Sequence, residues 1–543
     1  LTLLLIFIAS FVLINTFIMK GNYININADF VFDNADLLKA SLKEILLTII
    51  LTVILISIII LILKKNKAIF LINIYSIVLL VLISISIFDI SKIIKEHNKL
   101  SDIQINNDKT SDIKIFNMSK TGENIFVFVL DRAINSYWLD AFERFTNYKK
   151  DFDGFVIYPN TTSLSPSTIT IGSLCGGYDY LPYEISIDGS YNLKEKHNQA
   201  LLTIPLALEK YYYKSAMLEP TYANLSDTLD KKIFKDYSNI LVYDNSSILN
   251  YSLNNYLNLD SDFDIEELTK FEQKNKIVRF SIFRMLPINL RYDFYRDKGW
   301  FLSSSAFPRI NSSMRYYSML LSTPSFINIK QNGNYYNSLY NIITHEPAFF
   351  SSDFLPHLEL NEADDNDMII YKDDISIRHF YVNIASINCM TNFINYLKEN
   401  DIYDNTKIII VSDHAIGVNT TSTNKNINFI NSYNALLMYK DFNARGEIKI
   451  ETNFMTIADM PYLATKHIPN IKNPFNNNLI TNDYKNNGVY LINVNTWKSE
   501  GQFSNRYNFN VYYHVKDNIF DINNWKKFEI NWKTKETKKI ELK

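Results

Sequence analysis

The stretch Leu397-Lys-Glu-Asn-Asp-Ile-Tyr-Asp-Asn-Thr-Lys-Ile-Ile-Ile-Val-Ser-Asp-His414 reads as a helix end, a short polar turn and an apolar strand. The strand, Lys407-Ile-Ile-Ile-Val411, runs straight into Ser412-Asp413-His414. A continuous apolar run bounded by polar residues predicts burial on both faces, as in a parallel sheet. Upstream, Ile377, Tyr381, Ile384, Met390, Phe393, Ile394 and Leu397 lie at spacings that fit one helical face. Further out, Asn124-Ile-Phe-Val-Phe-Val-Leu130 is a second such strand, and it ends in Asp131. Helix, turn, strand and then polar residues is the pattern of an open α/β sheet. In such sheets the reacting groups collect beyond the carboxyl ends of the strands. Asp131 and the Asp413-His414 pair both occupy such ends.

Two carboxylates and an imidazole form a ligand set suited to one divalent cation, Zn²⁺, Mn²⁺ or Mg²⁺. The everyday alternatives are a helix cap for each Asp and a packed side chain for the His. A third stretch, Asn160-Thr-Thr-Ser-Leu-Ser-Pro-Ser-Thr-Ile-Thr-Ile-Gly-Ser-Leu-Cys-Gly-Gly-Tyr178, is a hydroxyl-rich turn leading into a small-residue helix. A Ser or Thr there serves either as an N-cap or as a nucleophile beside anion-binding N–H groups. A neutral hydroxyl is a weak nucleophile at pH 7, so it needs a metal or a base beside it.

The rest of the chain sets the context. The 543 residues carry 55 Lys plus Arg against 57 Asp plus Glu, a net charge of −2. That balance speaks against a nucleic-acid binder. Two cysteines, Cys175 and Cys389, exclude a disulfide scaffold and a Cys-based zinc ribbon. Much of the apolar content sits in the first ninety residues, where 1–19, 45–63 and 69–88 read as three membrane spans. Lys64, Lys65 and Lys67 crowd the hairpin between the second and third, which the positive-inside rule places in the cytoplasm. Everything beyond about residue 90 is then expected outside. The chain begins with Leu1 inside an apolar run, so it reads as a fragment or as a non-standard start. Residues 89–122 read as a juxtamembrane linker, 123–487 as the catalytic domain and 488–543 as a C-terminal extension. In that extension the alternation from Tyr507 to Val511 predicts edge strands, and Trp497 and Trp525 rest on the domain or on the bilayer interface.

A strand ending in Asp, a Ser/Thr turn running into Ser-Leu-x-Gly-Gly-Tyr and then Ile-Ile-Val-Ser-Asp-His resembles the alkaline phosphatase/sulfatase superfamily. Within it the chain is most similar to membrane-anchored sulfatase-like proteins, relatives of lipoteichoic acid synthases and lipid A phosphoethanolamine transferases. The likeness covers roughly 122–480 and includes Leu436-Leu-Met-Tyr-Lys-Asp-Phe442, Phe454-Met-Thr-Ile-Ala-Asp-Met-Pro461 and Asn473-Pro-Phe475. It implies an α/β fold, a sulfatase-like mixed sheet flanked by helices and preceded by transmembrane helices. It also implies metal ligation by Asp131, Asp413 and His414 and a nucleophile at Ser167 or Thr168. Counting back ten residues from Gly177 favours Ser167, and residue type favours Thr168. His345, in Thr344-His-Glu-Pro347, resembles the histidine that contacts the transferred phosphate; His357 and His379 match no motif. The segment Leu164-Ser-Pro-Ser-Thr168 lacks the Cys and Arg of the formylglycine motif, and Cys175 lies too far downstream to serve. Arg132 follows Asp131 where two-metal enzymes have a second Asp, which argues for one metal.

What the resemblance implies is transfer of a phospholipid-derived phospho-alcohol group to a glycan or lipid acceptor of the envelope. The rivals are hydrolysis of a phosphate or sulfate ester at the same site and a non-catalytic membrane binding module.

Overall fold

The computed structural model describes residues 2–21, 38–65, 67–105, 113–226, 229–257, 265–295, 300–301, 307–346, 348–357, 363–418, 420, 426–494 and 504–542. The chain forms two compact units, Leu1–Ile113 with Asp264–Ser305, and Lys114–Phe263 with Ala306–Lys543.

The first unit is built on apolar helices. Leu42–Lys64 and Ala68–Lys95 are long and apolar enough to cross a membrane, and only 11% and 6% of their most apolar windows are buried. The expected span at 1–19 is shorter, a helix over Thr2–Leu13 that widens into a π-turn at Ile14–Ile18. Its Asn15 carbonyl is taken by the guanidinium of Arg291, 2.8 Å away. Ile6, Ile59 and Leu71 pack the three helices together. The third helix does not stop at the membrane end of its apolar run but continues to Ile105, into the expected linker. No Gly or Pro occurs between 68 and 105 to end it. Residues 106–112 of that linker and Trp497 lie outside the described residues. The expected 123–487 domain also contains 264–305, which packs with the N-terminal helices instead.

The second unit is a mixed sheet flanked by helices. Its strands, in chain order, are β1 (Asn124–Leu130), β2 (Phe155–Ile157), β3 (Tyr213–Leu218), β4 (Ile240–Tyr243), β5 (Asn334–Asn341), β6 (Thr406–Val411), β7 (Leu437–Lys440) and β8 (Lys449–Ile450). They lie in the order β8-β2-β7-β6-β1-β5-β3-β4. β7 alone runs antiparallel to its neighbours. β1 and β6 are side by side in register, Asn124 opposite Thr406 through Val129 opposite Val411. Both are buried throughout, as their uninterrupted apolar runs predict. The predicted amphipathic helix spans Asp374–Glu399, capped by Asp373, whose carboxylate accepts from Ser376 N at 2.7 Å. Phe393 of this helix packs edge-on against Phe126 and Phe128 of β1.

The C-terminal extension adds an antiparallel sheet, β9 (Val489–Ile492), β10 (Val511–Val515), β11 (Trp525–Asn531) and β12 (Glu536–Ile540). Trp525 belongs to the domain: its indole N–H donates to the Ile519 carbonyl at 2.8 Å and its ring meets Phe429 and Tyr433. Ile492, Val494, Tyr512 and Ile530 enclose Ile169, so this sheet backs the hydroxyl-rich turn.

Candidate metal centre

Because β1 and β6 are parallel neighbours in register, their carboxyl ends coincide, and the residues that follow them meet. One carboxylate oxygen each of Asp131 and Asp413 and a ring nitrogen of His414 lie within 4.8 Å of one another, all buried. His414 Nε2 is 3.4 Å from Asp131 Oδ1 and 3.8 Å from Asp413 Oδ2. Its Nδ1 lies 3.0 Å from the Ala415 carbonyl, which only accepts, so Nδ1 carries the proton and Nε2 presents a lone pair.

The two carboxylates are held from behind. Tyr340, on the neighbouring β5, donates to Asp131 Oδ2 at 2.9 Å, and Thr344 Oγ1 donates to the Asp131 carbonyl. Asp413 Oδ1 accepts from His414 N at 2.9 Å and from Arg132 N at 3.3 Å. Arg132 reaches that position in the left-handed region, φ 64°, an uncommon conformation for a side chain of its size. Its guanidinium turns away to pair with Glu346. Burial raises the Glu346 carboxyl, and the nearby charges of His379 and Arg132 outweigh it, holding the group below its usual range.

Two carboxylate oxygens have no hydrogen-bond partner among the described residues, Asp131 Oδ1 and Asp413 Oδ2, both facing His414 Nε2. Burial and the Asp131 carboxylate push the Asp413 carboxyl well above its usual range, and burial lowers the His414 imidazole, leaving it neutral. Two buried carboxylates at this separation cannot both stay charged without a proton or a cation between them. Two orphan oxygens and one imidazole lone pair are what a single divalent ion uses, so the donor set fits the group.

The other expected residues neighbour, in the chain, two threonines that touch this group, Thr170 at the Asp413 carbonyl and Thr344 at that of Asp131. Ser167 is buried, in extended backbone before the turn Thr168–Thr170, and Thr168 is half-buried. The contact between this turn and the centre is made by a neighbour: Thr170 Oγ1 is 2.7 Å from the Asp413 carbonyl and 3.1 Å from that of Ser167. His345 is half-buried, its Nδ1 2.6 Å from the Glu346 carbonyl. His379, unmatched by any motif, is buried and donates from Nε2 to the Thr344 carbonyl at 2.6 Å, bracing the loop that carries His345. Burial pushes the Cys175 thiol up to about 12, which leaves it inert.

No family model and no curated protein matches the sequence. Among solved structures, the chain is similar to the lipoteichoic acid synthase LtaP from Listeria monocytogenes. The two are 13% identical, with 78% of this chain and 87% of that one covered and a TM-score of 0.39. It is also similar to a protein in the alkaline phosphatase superfamily from Vibrio parahaemolyticus (9% identical, 79% and 85% covered, TM-score 0.37). A third is the phosphonate monoester hydrolase SpPMH from Silicibacter pomeroyi (12% identical, 68% and 79% covered, TM-score 0.40).

Tyr340, Thr170 and the Arg132–Glu346 pair were not singled out from the sequence. Each acts through a partner on another strand or loop, and no local spacing announces such a contact. The hydroxyl-rich turn pointed to Thr170 only as one member of a group.

Proposed function

We propose that this chain is a membrane-anchored, metal-dependent phospho-alcohol transferase working on a phospholipid donor. The observation that carries the reading is the buried Asp131, Asp413 and His414 group, with two carboxylate oxygens left unpartnered. Those three residues would hold one Zn²⁺, Mn²⁺ or Mg²⁺. When bound, such an ion supplies Lewis acidity that lowers the pKa of a neighbouring hydroxyl and offsets charge on phosphate oxygens.

The chain's own residues do the rest. Tyr340 orients the Asp131 carboxylate, and the backbone N–H groups of Arg132 and His414 orient that of Asp413. The hydroxyl of Ser167 or Thr168 attacks phosphorus of the headgroup. An Oγ–P bond forms, the P–O bond to the lipid alcohol breaks, and the hydroxyl proton leaves with diacylglycerol. A glycan or lipid hydroxyl of the envelope then attacks the phospho-enzyme; its O–P bond forms as the Oγ–P bond breaks, and its proton returns to Oγ. His345 contacts the transferred phosphate. The two apolar helices hold the enzyme at its donor, and Lys64, Lys65 and Lys67 orient their hairpin to the cytoplasm, leaving the site outside.

Full-length protein in phosphatidylglycerol or phosphatidylethanolamine vesicles, with the headgroup labelled, tests this reading. Diacylglycerol release is expected, together with a labelled peptide whose modified residue is Ser167 or Thr168. In Asp413→Asn, turnover and stoichiometric metal should both be lost, by more than the roughly 10–100-fold that removing an outer partner costs. Retained activity in that variant rejects the metal assignment. Phosphate-ester hydrolysis without diacylglycerol release rejects the lipid donor and leaves a hydrolase.

A further inference from the structure

Residues 264–305 interrupt the chain of the sheet unit and pack with the apolar helices. They do so at one end of the helical bundle. Arg291 is fully buried and donates from Nη1 to the Lys20 carbonyl and from Nη2 to the Asn15 carbonyl, both at 2.8 Å. This closes the carboxyl end of the first apolar helix. Phe283, Tyr295 and Trp300 enclose Leu38, three residues before Ser41, which caps Leu42–Lys64. The segment therefore sits where the first apolar helix ends and the second begins, at the end away from the Lys64–Lys67 turn.

Its longer helix, Ile265–Met285, has two apolar faces. Phe280 and Phe283 point inward, against each other and toward Trp300. On the other side Ile277, Val278, Ile282 and Met285 are 54%, 56%, 42% and 44% exposed. At 3.6 residues per turn these four cover an arc of about 140°, centred opposite Phe283. Ser281 stands within this arc, Lys274 lies in line with it one turn toward the start of the helix, Arg284 flanks it, and Leu290 and Phe301 are also exposed. Four exposed aliphatic side chains gathered on one side of a helix mark an interaction surface.

The occupant is indicated by what the surface adjoins. Leu42–Lys64 and Ala68–Lys95 expose aliphatic side chains and are read as lipid-facing, and the segment packs at the end of this bundle through Leu38 and the Asn15 and Lys20 carbonyls. A basic residue beside the arc and aromatic residues behind it match the headgroup boundary of a bilayer. We propose that the helix Ile265–Met285 is an interfacial lipid anchor. It lies along the membrane surface with Ile277, Val278, Ile282 and Met285 among the acyl chains and Arg284 at the headgroups. The proposal rests on the reading that the two long apolar helices span a bilayer.

Nitroxide scanning of the full chain tests it, with single cysteines in a C175A/C389A background reconstituted in phosphatidylethanolamine/phosphatidylglycerol vesicles. Labels at 277, 278, 282 and 285 should collide several-fold more with oxygen than with a water-soluble nickel complex. Labels at 279 and 289 should show the reverse, and labels at 54 and 81, on the long helices, should favour oxygen. Nickel dominating at 278 and 282 while 54 and 81 favour oxygen overturns the anchor alone. Nickel dominating at all of them overturns the membrane reading as well. Low collision with both reagents at 278 and 282 means a protein partner, a second copy included, and overturns the lipid assignment. In a chain that keeps both native cysteines, a benzophenone side chain at 282 should cross-link to lipid; cross-links to protein alone overturn the proposal.

Discussion

His197 is buried, and its Nε2–H donates to the Thr221 carbonyl at 3.2 Å. Burial lowers its pKa from 6.5 to about 4, against the opposing pull of that hydrogen bond. Between those values the unfolded chain binds a proton that the native state refuses. The contribution is therefore complete above pH 6.5 and is lost as the pH falls toward 4, about 3 kcal/mol for this one group. Glutamine keeps a donor for Thr221 but does not titrate. H197Q is thus expected to flatten the Tm–pH curve between 6.5 and 4 relative to the parent, with little change at neutral pH. Parallel curves would refute the assignment. A similar contrast separates the histidines of the site. His414 was legible in the sequence because it follows an apolar strand in tandem with Asp413. His379 was not, because it acts on the Thr344 carbonyl from a helix that begins thirty residues later in the chain.

Among the elements, the short helix Ile171–Gly176 shows why its motif ends in paired glycines. A Cβ on Gly176 would stand 2.2 Å from the Tyr180 ring and 2.9 Å from Ala200, and Gly177 turns the chain at φ 79°. Only a bare backbone lets this helix approach Leu193–Glu209 while holding the Ser167–Thr170 turn at its start. Gly176→Ala should cost about 1–3 kcal/mol through overpacking and lower the Tm measurably; an unchanged Tm would show that the packing yields. Helix and strand identities in the sheet unit were legible from periodicity, since burial of both faces of β1 and β6 demands unbroken apolar runs. The antiparallel direction of β7 was not legible, because Leu437–Lys440 is equally apolar whichever way it runs. Nor was the partner at the end of the first apolar helix, where Arg291 donates to the Asn15 carbonyl 276 residues away.

Considered as one chain, the protein places residues 265–301 with its N-terminal helices although they interrupt the sheet unit. A chain starting at 114 would therefore leave Arg291 without the Asn15 and Lys20 carbonyls, and Phe283, Tyr295 and Trp300 without Leu38. A buried cation stripped of its acceptors and an uncovered aromatic cluster favour aggregation. Size-exclusion chromatography should find that truncated chain aggregated. Further replacement of 265–301 by a short Gly/Ser linker should restore a monomer. A monomeric chain of 114–543 would show that the insertion folds without its partners.

Local pattern sufficed for the apolar helices, the two central strands and the acid and imidazole groups at their ends, because burial and hydrogen-bonding needs act on residues near one another in the chain. Tertiary structure alone decided that β1 and β6 are adjacent and in register, which brings Asp131 to Asp413 and His414. It also decided that Tyr340 and Arg132 would steady the two carboxylates and that 264–305 would return to the helical unit. Those outcomes depend on contacts between segments hundreds of residues apart, and such contacts leave no periodic trace in either segment.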